Sequence, residues 1–122
     1  MSNLTLSIKQ KYYDEILAGT KKVETRELRP KTSAKYLEFD KDGNLVFTEN
    51  EAIKTKPFKT ITFLTGAYKG KRPKMVVEVI SSEVVLYEDE KGELITLKDE
   101  NQEEYIASVI EYKLGEVIEK LL

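Results

Sequence analysis

Three ionisable side chains, Lys21, Glu24 and Arg26, follow closely after Gly19. If this stretch is a strand, Glu24 and Arg26 lie on one face of it, because side chains alternate along a strand. Arginine and lysine at such a place can hold a phosphate or carboxylate, and a carboxylate can accept a hydrogen bond from the exocyclic amine of cytosine. The spacing predicts a ligand cleft; the alternative is an exposed ladder of charges, which contributes little to stability.

Two further places along the chain carry cations suited to anion binding. Lys9 directly precedes a predicted helix, whose N-terminus already carries partial positive charge, so that a bound anion would relieve the repulsion. Tyr68, Lys69 and Arg72 combine an aromatic ring with cations on a glycine-containing loop, a composition typical of base stacking and phosphate contact. The alternatives are a lysine that reaches into solvent and an exposed hairpin tip.

The composition excludes several classes of catalytic and metal site. The chain has no histidine and no cysteine, which rules out Cys–His and Ser–His–Asp catalysis, zinc fingers and the common zinc hydrolase sites. Any general base is therefore Lys, Glu, Asp or Tyr. The segment 88–104 holds 8 acids and 2 lysines but lacks calcium-loop spacing. We expect no metal, no cofactor, and a solvated acidic surface, with a protein-interaction face as the alternative.

Length and hydropathy indicate a small folded domain. A chain of 122 residues fits one domain, and its 34% charged residues are mixed with 40% hydrophobic ones. No apolar run reaches the ~20 residues that a membrane span needs, and no basic segment followed by an apolar run marks a signal peptide. We therefore expect a cytoplasmic protein that does not associate with membranes.

Periodicity predicts the elements that position these residues. A helix is expected over about 10–18, ended by Gly19 as a C-cap, because apolar side chains recur four residues apart. Tyr12 and Tyr13 on this helix are expected to pack in the core and at its rim. Residues 31–35 read as a loop, and turns are expected at 41–44 and around Lys91-Gly92. Strands are predicted at 4–9, 22–28, 36–39, 45–47, 59–64, 75–80 continuing past a bend at Ser81-Ser82 into 83–87, 94–97 and 106–113. After Gly115 the pattern predicts a final strand or turn at 116–120. The fold class is therefore α+β, a small mixed β-barrel with an early short helix packed against it.

The opening of the chain resembles the signature of ASCH domains, which belong to the PUA-like superfamily. The resemblance is carried by Leu6 to Lys9, by the helix with Gly19, and by the run Lys21-x-x-Glu24-x-Arg26. Two later pieces are similar as well, namely Thr65 to Val79 and the closing Ile110 to Val117 with its Leu-Gly pair. The resemblance implies one PUA-like domain over 1–122, in which the hairpin at 36–58 is an insertion.

The resemblance also implies a function. ASCH domains are associated with RNA or nucleotide recognition, and some bacterial members hydrolyse N4-acetylcytidine with a lysine base and a threonine nucleophile three residues later. Here Lys21 matches the lysine, and Glu24 occupies the threonine position, so the threonine mechanism is not carried over. We expect a domain that binds RNA or a modified nucleoside. The alternatives are an amidohydrolase in which Lys21 is the base and Glu24 acts on water, and a protein-interaction module that uses the acidic 88–104 face.

Overall fold

The structure, a computed structural model, describes residues 2–65 and 73–121 and has a mixed α+β architecture. Strands β1, β3, β4, β7 and β2 form one sheet in that order, and β5 pairs with β6. β1 runs parallel to β3, and β3 runs antiparallel to β4, so the larger sheet is mixed. The predicted fold class is confirmed, because these are the elements of a small barrel with a short helix. The bounds are β1 Asn3–Ser7, α1 Gln10–Ala18, β2 Val23–Leu28, α2 Ser33–Tyr36, β3 Thr60–Leu64, β4 Lys74–Leu86, β5 Thr96–Lys98, β6 Glu104–Ile106 and β7 Ser108–Leu121.

The chain divides into two compact units. The first unit comprises Met1–Glu24, Pro57–Ser81 and Tyr112–Leu122. The second unit comprises Thr25–Lys56 and Ser82–Glu111. That the whole of 1–122 is a single ASCH-like domain stays a prediction.

The core of the first unit follows from strand alternation. In β1 and β3 every second residue is buried, and the register pairs Leu4 with Ile61 and Leu6 with Phe63. β4 continues the same rows, since Phe63 is opposite Met75. Apolar side chains at alternate positions thus form one buried layer, and burial of each large one stabilises the fold by about 1.5–3 kcal/mol.

Helix α1 confirms the predicted boundaries, 10–18. It buries Tyr13 and Ile16, and it ends where Gly19 adopts the left-handed conformation at φ 83°. The Gly19 amide donates to the Ile16 carbonyl and the Thr20 amide donates to the Glu15 carbonyl, which satisfies the last carbonyls of the helix. A residue with a Cβ adopts this φ at a cost, so the glycine fixes the point at which the chain leaves the helix.

Several predicted boundaries were wrong. β4 is one strand through Ser81-Ser82, where continuation past a bend was predicted, and β7 is one strand through Gly115, where a break was predicted. The polar stretch 31–35 leads into the single-turn helix α2 instead of being a loop throughout, and β6 was missed. The 36–58 segment contains a second turn, at 48–52, in addition to the predicted one.

Four turns of the second unit, at 40–44, 48–52, 89–93 and 99–103, share one hydrogen-bond pattern. The first side chain of each accepts hydrogen bonds from the amides two and four residues later. The fourth residue has a positive φ, as in a type I turn followed by a left-handed residue. The turn around Lys91-Gly92 confirms the predicted one. The first residues are Asp40, Thr48, Asp89 and Asp99, and the left-handed residues are Gly43, Glu51, Gly92 and Gln102.

Candidate functional site

Lys21 and Glu24 form an ion pair in the first unit. The Lys21 Nζ atom lies 3.3 Å from Glu24 Oε1, and the Glu24 side chain is only 7% exposed, against 25% for Lys21. Lys21 Nζ also donates a hydrogen bond of 2.8 Å to the carbonyl of Val23. The ammonium is therefore directed to two oxygens at once, and it holds a carboxylate that is almost removed from solvent.

Tyr12 adds an aromatic ring to this pair. The Lys21 Nζ atom lies 5.3 Å from the centre of the Tyr12 ring, and the Lys11 Nζ atom lies 5.8 Å from it. Cations at this distance are attracted to the ring face. Tyr12 is 40% exposed, so its ring lies at the surface, whereas Tyr13 is buried in the core as predicted. Tyr12, Lys21 and Glu24, called the Lys21 cluster below, join an acceptor, a donor and a ring surface.

Local sequence explains how the Lys21 cluster is assembled. Gly19 caps the end of α1, and β2 begins at Val23. Lys21 therefore lies in the short connection between the helix and the strand. In β2 the residues alternate in burial, with Glu24 buried between exposed Val23 and Thr25. Glu24 is therefore not part of an exposed ladder of charges, the alternative that its spacing left open, because its side chain is buried.

Of the other predicted site residues, two lie on or beside described elements and three lie outside the described residues. Lys9 is exposed at the N-cap of α1, where its side chain makes no capping hydrogen bond. Arg26 is half-buried on β2 and belongs to the second unit. Tyr68, Lys69 and Arg72 lie outside the described residues. The structure thus brings together Lys21 and Glu24 of the predicted set and adds Tyr12.

A polar contact at Thr65, directly after β3, was missed by sequence reasoning. Thr65 is buried, and its hydroxyl donates a 3.1 Å hydrogen bond to Gln10 Oε1. Gln10 Nε2 in turn donates to Asp14 Oδ1 at 2.9 Å, which fixes the side-chain amide of Gln10. The sequence offered little indication of this contact, beyond the positions of Thr65 and Gln10 at the ends of predicted elements. This relay anchors the first turn of α1 to the end of β3.

Tyr13 is a buried titratable group on the same helix. Burial raises the pKa of its hydroxyl above the ordinary value of 10.0, and the nearby Asp14 carboxylate raises it further. Within the described part of the chain its hydroxyl has no hydrogen-bond partner. Tyr13 is therefore neutral at physiological pH, and its role there is to fill the core.

The acidic segment 88–104 folds into two of the side-chain-capped turns. In the second unit, Lys31 forms an ion pair with Glu100, and hydrogen bonding from Lys31 lowers the pKa of that carboxyl. Residues 2–65 and 73–121 contain no group of three acidic side chains arranged to hold a metal ion. None of the helices in those ranges is long and apolar enough to cross a bilayer.

Comparison with known proteins adds no relative. No protein-family model, curated protein or solved structure matches this chain. The ASCH resemblance therefore stays a prediction made from the motif residues alone.

Proposed function

We propose that the first unit binds RNA or a modified nucleoside at the Lys21 cluster. The observation that carries the proposal is the buried Glu24 carboxylate, fixed by Lys21 beside an exposed aromatic ring. A carboxylate can accept a hydrogen bond from the exocyclic amine of a base such as cytosine. The proposal is also what the resemblance to ASCH domains implies.

Tyr12 supplies the surface that nucleobase binding requires. Bases in single-stranded RNA are commonly held by stacking on tyrosine or phenylalanine rings, which adds about 1–3 kcal/mol per base. Because Tyr12 is 40% exposed and lies within 5.3 Å of the Lys21 ammonium, a stacked base would also lie close to a cation. The pair of contacts favours a nucleotide over an uncharged apolar ligand.

The charge of the first unit suits an anionic ligand. By sequence it contains 11 Lys and Arg against 6 Asp and Glu, a net charge of +5. A modest basic excess is enough for a nucleotide or a short RNA, since each neutralised phosphate releases counterions. We therefore expect binding that weakens with salt.

The geometry favours binding over amide hydrolysis. A general base must accept a proton, whereas Lys21 Nζ lies at donor distance from two oxygens, the Val23 carbonyl and the Glu24 carboxylate. Thr25, the nearest hydroxyl after the lysine, is exposed on the opposite side of β2 from Glu24. The amidohydrolase alternative would need Lys21 to leave both partners.

The test is an NMR titration with cytidine, uridine and N4-acetylcytidine, using isotope-labelled protein. Cytidine and uridine differ in the pairing edge at position 4, where only cytidine donates through an amine. If Glu24 accepts from that amine, cytidine binds about tenfold more tightly than uridine, the discrimination typical of one good base contact. Shifts should be confined to the neighbourhood of α1 and residues 19–26.

Matched variants separate the contacts. Glu24→Leu, which removes both acceptor oxygens, should abolish the preference for cytidine. Tyr12→Ala should weaken the binding of both nucleosides, while Glu116→Gln, which removes the charge of an exposed acid of the same unit, should change neither property. Absence of shifts in the wild type, or a preference for cytidine that survives Glu24→Leu in a folded variant, would refute the proposal. Acetate released from N4-acetylcytidine, and lost in Lys21→Ala, would instead establish the hydrolase.

A further inference from the structure

The second unit contains an apolar pocket that the nucleoside proposal does not use. Its volume is about 270 Å³, near the lower end of the range for ligand pockets. Leu28, Leu37, Ile53, Val84 and Ile106 are among its lining residues. These come from β2, the segment after α2, the 48–52 turn region, β4 and β6, so most elements of the unit contribute to it. The pocket has room for one large apolar side chain.

Three residues that line the pocket are apolar and exposed. Phe39, Leu86 and Ile106 line the pocket and are each more than one-third exposed. Within the described part of the chain, eight of the twelve large apolar residues that are exposed belong to the second unit. The other five in this unit are Phe47, Tyr87, Leu94, Ile95 and Leu97. Exposed apolar side chains that meet at one pocket, as Phe39, Leu86 and Ile106 do, are typical of interaction surfaces.

The charge of the second unit is strongly negative. By sequence it contains 9 Lys and Arg against 16 Asp and Glu, so its net charge is −7, which with +5 for the first unit gives the total of −2. Two cations near the pocket are neutralised by ion pairs, Arg29 by Glu27 and Lys31 by Glu100. The surface therefore presents an excess of negative charge to a partner.

Acidic side chains also lie directly beside the pocket. A second depression of about 420 Å³ shares Ile53, Val84 and Leu86 with it and is lined by Glu51 and Glu83. A ligand that fills the apolar pocket would thus have two carboxylates within reach of its flanking groups. The second depression is also lined by Lys54. The Lys54 Nζ atom lies 4.0 Å from Oε2 of Glu38, an acid that does not line the depression.

We propose that the second unit is a docking site for a basic segment of a partner protein, which inserts one large apolar side chain into the pocket and places flanking lysine or arginine side chains beside Glu51 and Glu83. A buried apolar anchor supplies most of the energy at such interfaces. The complementary charges supply orientation and rate of association. Arg29, which lines the pocket, is paired with Glu27. The carboxylates of the adjoining depression are Glu51 and Glu83, so cationic flanking groups are favoured over anionic ones.

The test uses three synthetic peptides with blocked ends: Lys-Lys-Phe-Lys-Lys, Lys-Lys-Ala-Lys-Lys and Glu-Glu-Phe-Glu-Glu. Binding is followed by the NMR signals of the Ile53, Val84 and Ile106 methyl groups. The basic peptide with phenylalanine should shift these signals, with an affinity that falls about threefold or more between 0.01 M and 0.15 M salt. The alanine peptide and the acidic peptide should leave them unchanged.

Variants with matched controls locate the site. Leu86→Gln, in the pocket, should weaken the basic peptide about tenfold, the size expected for an anchor contact. Ile118→Gln, at an exposed strand residue of the first unit, should have no effect. The double change Glu51→Gln with Glu83→Gln should remove most of the salt dependence, and Glu116→Gln with Glu119→Gln should not. Retained backbone NMR spectra would show that each variant is folded.

Three results would overturn the proposal. The first is equal binding of the basic and acidic peptides, which would mean that charge does not select the occupant. The second is binding by the basic peptides that leaves the pocket methyl signals unshifted. The third is concentration-dependent association of the protein with itself, abolished by Leu86→Gln, which would make a second copy of this chain the occupant.

Discussion

The Lys21–Glu24 ion pair predicts a coupling free energy well above that of a surface pair. At an effective dielectric constant of about 20, unit charges separated by 3.3 Å attract by about 5 kcal/mol. Desolvation and the ordering of both side chains reduce this, so we expect about 1–3 kcal/mol, as for hydrogen bonds to charged groups in partly buried places. Because the Glu24 side chain is only 7% exposed, water screens this pair less than a surface pair, and its coupling free energy should be larger.

The chain provides its own control for this prediction. Arg29 and Glu27 form an ion pair of 3.0 Å whose side chains are 59% and 49% exposed. Such an exposed pair should couple only weakly, because water screens it. The two pairs have similar separations but differ in burial, and the control pair has the additional advantage of two parallel hydrogen bonds from Arg29 to Glu27. A larger coupling at Lys21–Glu24 would therefore report the effect of burial in spite of that advantage.

The assay is a double-mutant cycle measured by urea unfolding. The variants are Lys21→Met, Glu24→Gln and their combination, beside Arg29→Met, Glu27→Gln and theirs, all in one buffer. We expect the coupling at Lys21–Glu24 to exceed the control by about 1 kcal/mol or more, with unchanged dependence on urea concentration. Equal couplings would refute the reasoning that Lys21 fixes a buried carboxylate, and would remove the main support for nucleobase recognition at Glu24.

Two further predictions concern the turns and the buried tyrosine. Gln102 has a left-handed backbone at φ 65°, so Gln102→Gly should raise the free energy of unfolding by about 0.5–1 kcal/mol. Gly92→Ala in the equivalent turn should lower the free energy of unfolding. A loss of stability in Gln102→Gly, measured by urea unfolding, would contradict this reasoning. Because the pKa of Tyr13 is raised in the folded state, the unfolded chain ionises first and stability should fall as pH rises above 10.0. Tyr13→Phe should flatten that part of the stability profile, and an unaltered profile in this variant would count against burial as the cause.

Local signals in the sequence predicted local structure well. The four-residue spacing of apolar side chains and Gly19 were sufficient for α1, and the Lys91-Gly92 step was sufficient for its turn. Both depend on contacts between residues close in the chain, which a short window of sequence contains. The alternation in β1 and β3 was equally informative, because both strands have one buried face.

Contacts between distant residues account for what was missed. Ser81-Ser82 suggested a bend, but the Ser82 hydroxyl is hydrogen-bonded to Thr55 at 2.7 Å, so the serine is accommodated within a continuous strand. Gly115 suggested a break in β7, yet the strand continues, and a Cβ at this position would meet the Glu78 side chain, so the glycine leaves room for that side chain instead. These partners are not visible from either segment alone.

The candidate site was predictable only in part for the same reason. The spacing of Lys21 and Glu24 identified the pair, because i,i+3 partners lie close in sequence. The burial of Glu24 and the pocket of the second unit depend on distant segments, which an alternating charge pattern does not reveal. The contribution of Tyr12 required the helix and the following strand to be placed in three dimensions.

The pairing of β1 with β3 has a consequence for synthesis of the chain on the ribosome. Asn3 is hydrogen-bonded to Thr60, a partner 57 residues away, so β1 has no strand to join until that residue has emerged. The turn at 40–44 closes over four residues, and short loops close at far smaller entropic cost and within microseconds. The nascent chain therefore acquires its turns first and holds an apolar strand unpaired meanwhile. Folding speed should be limited by this distant parallel pairing.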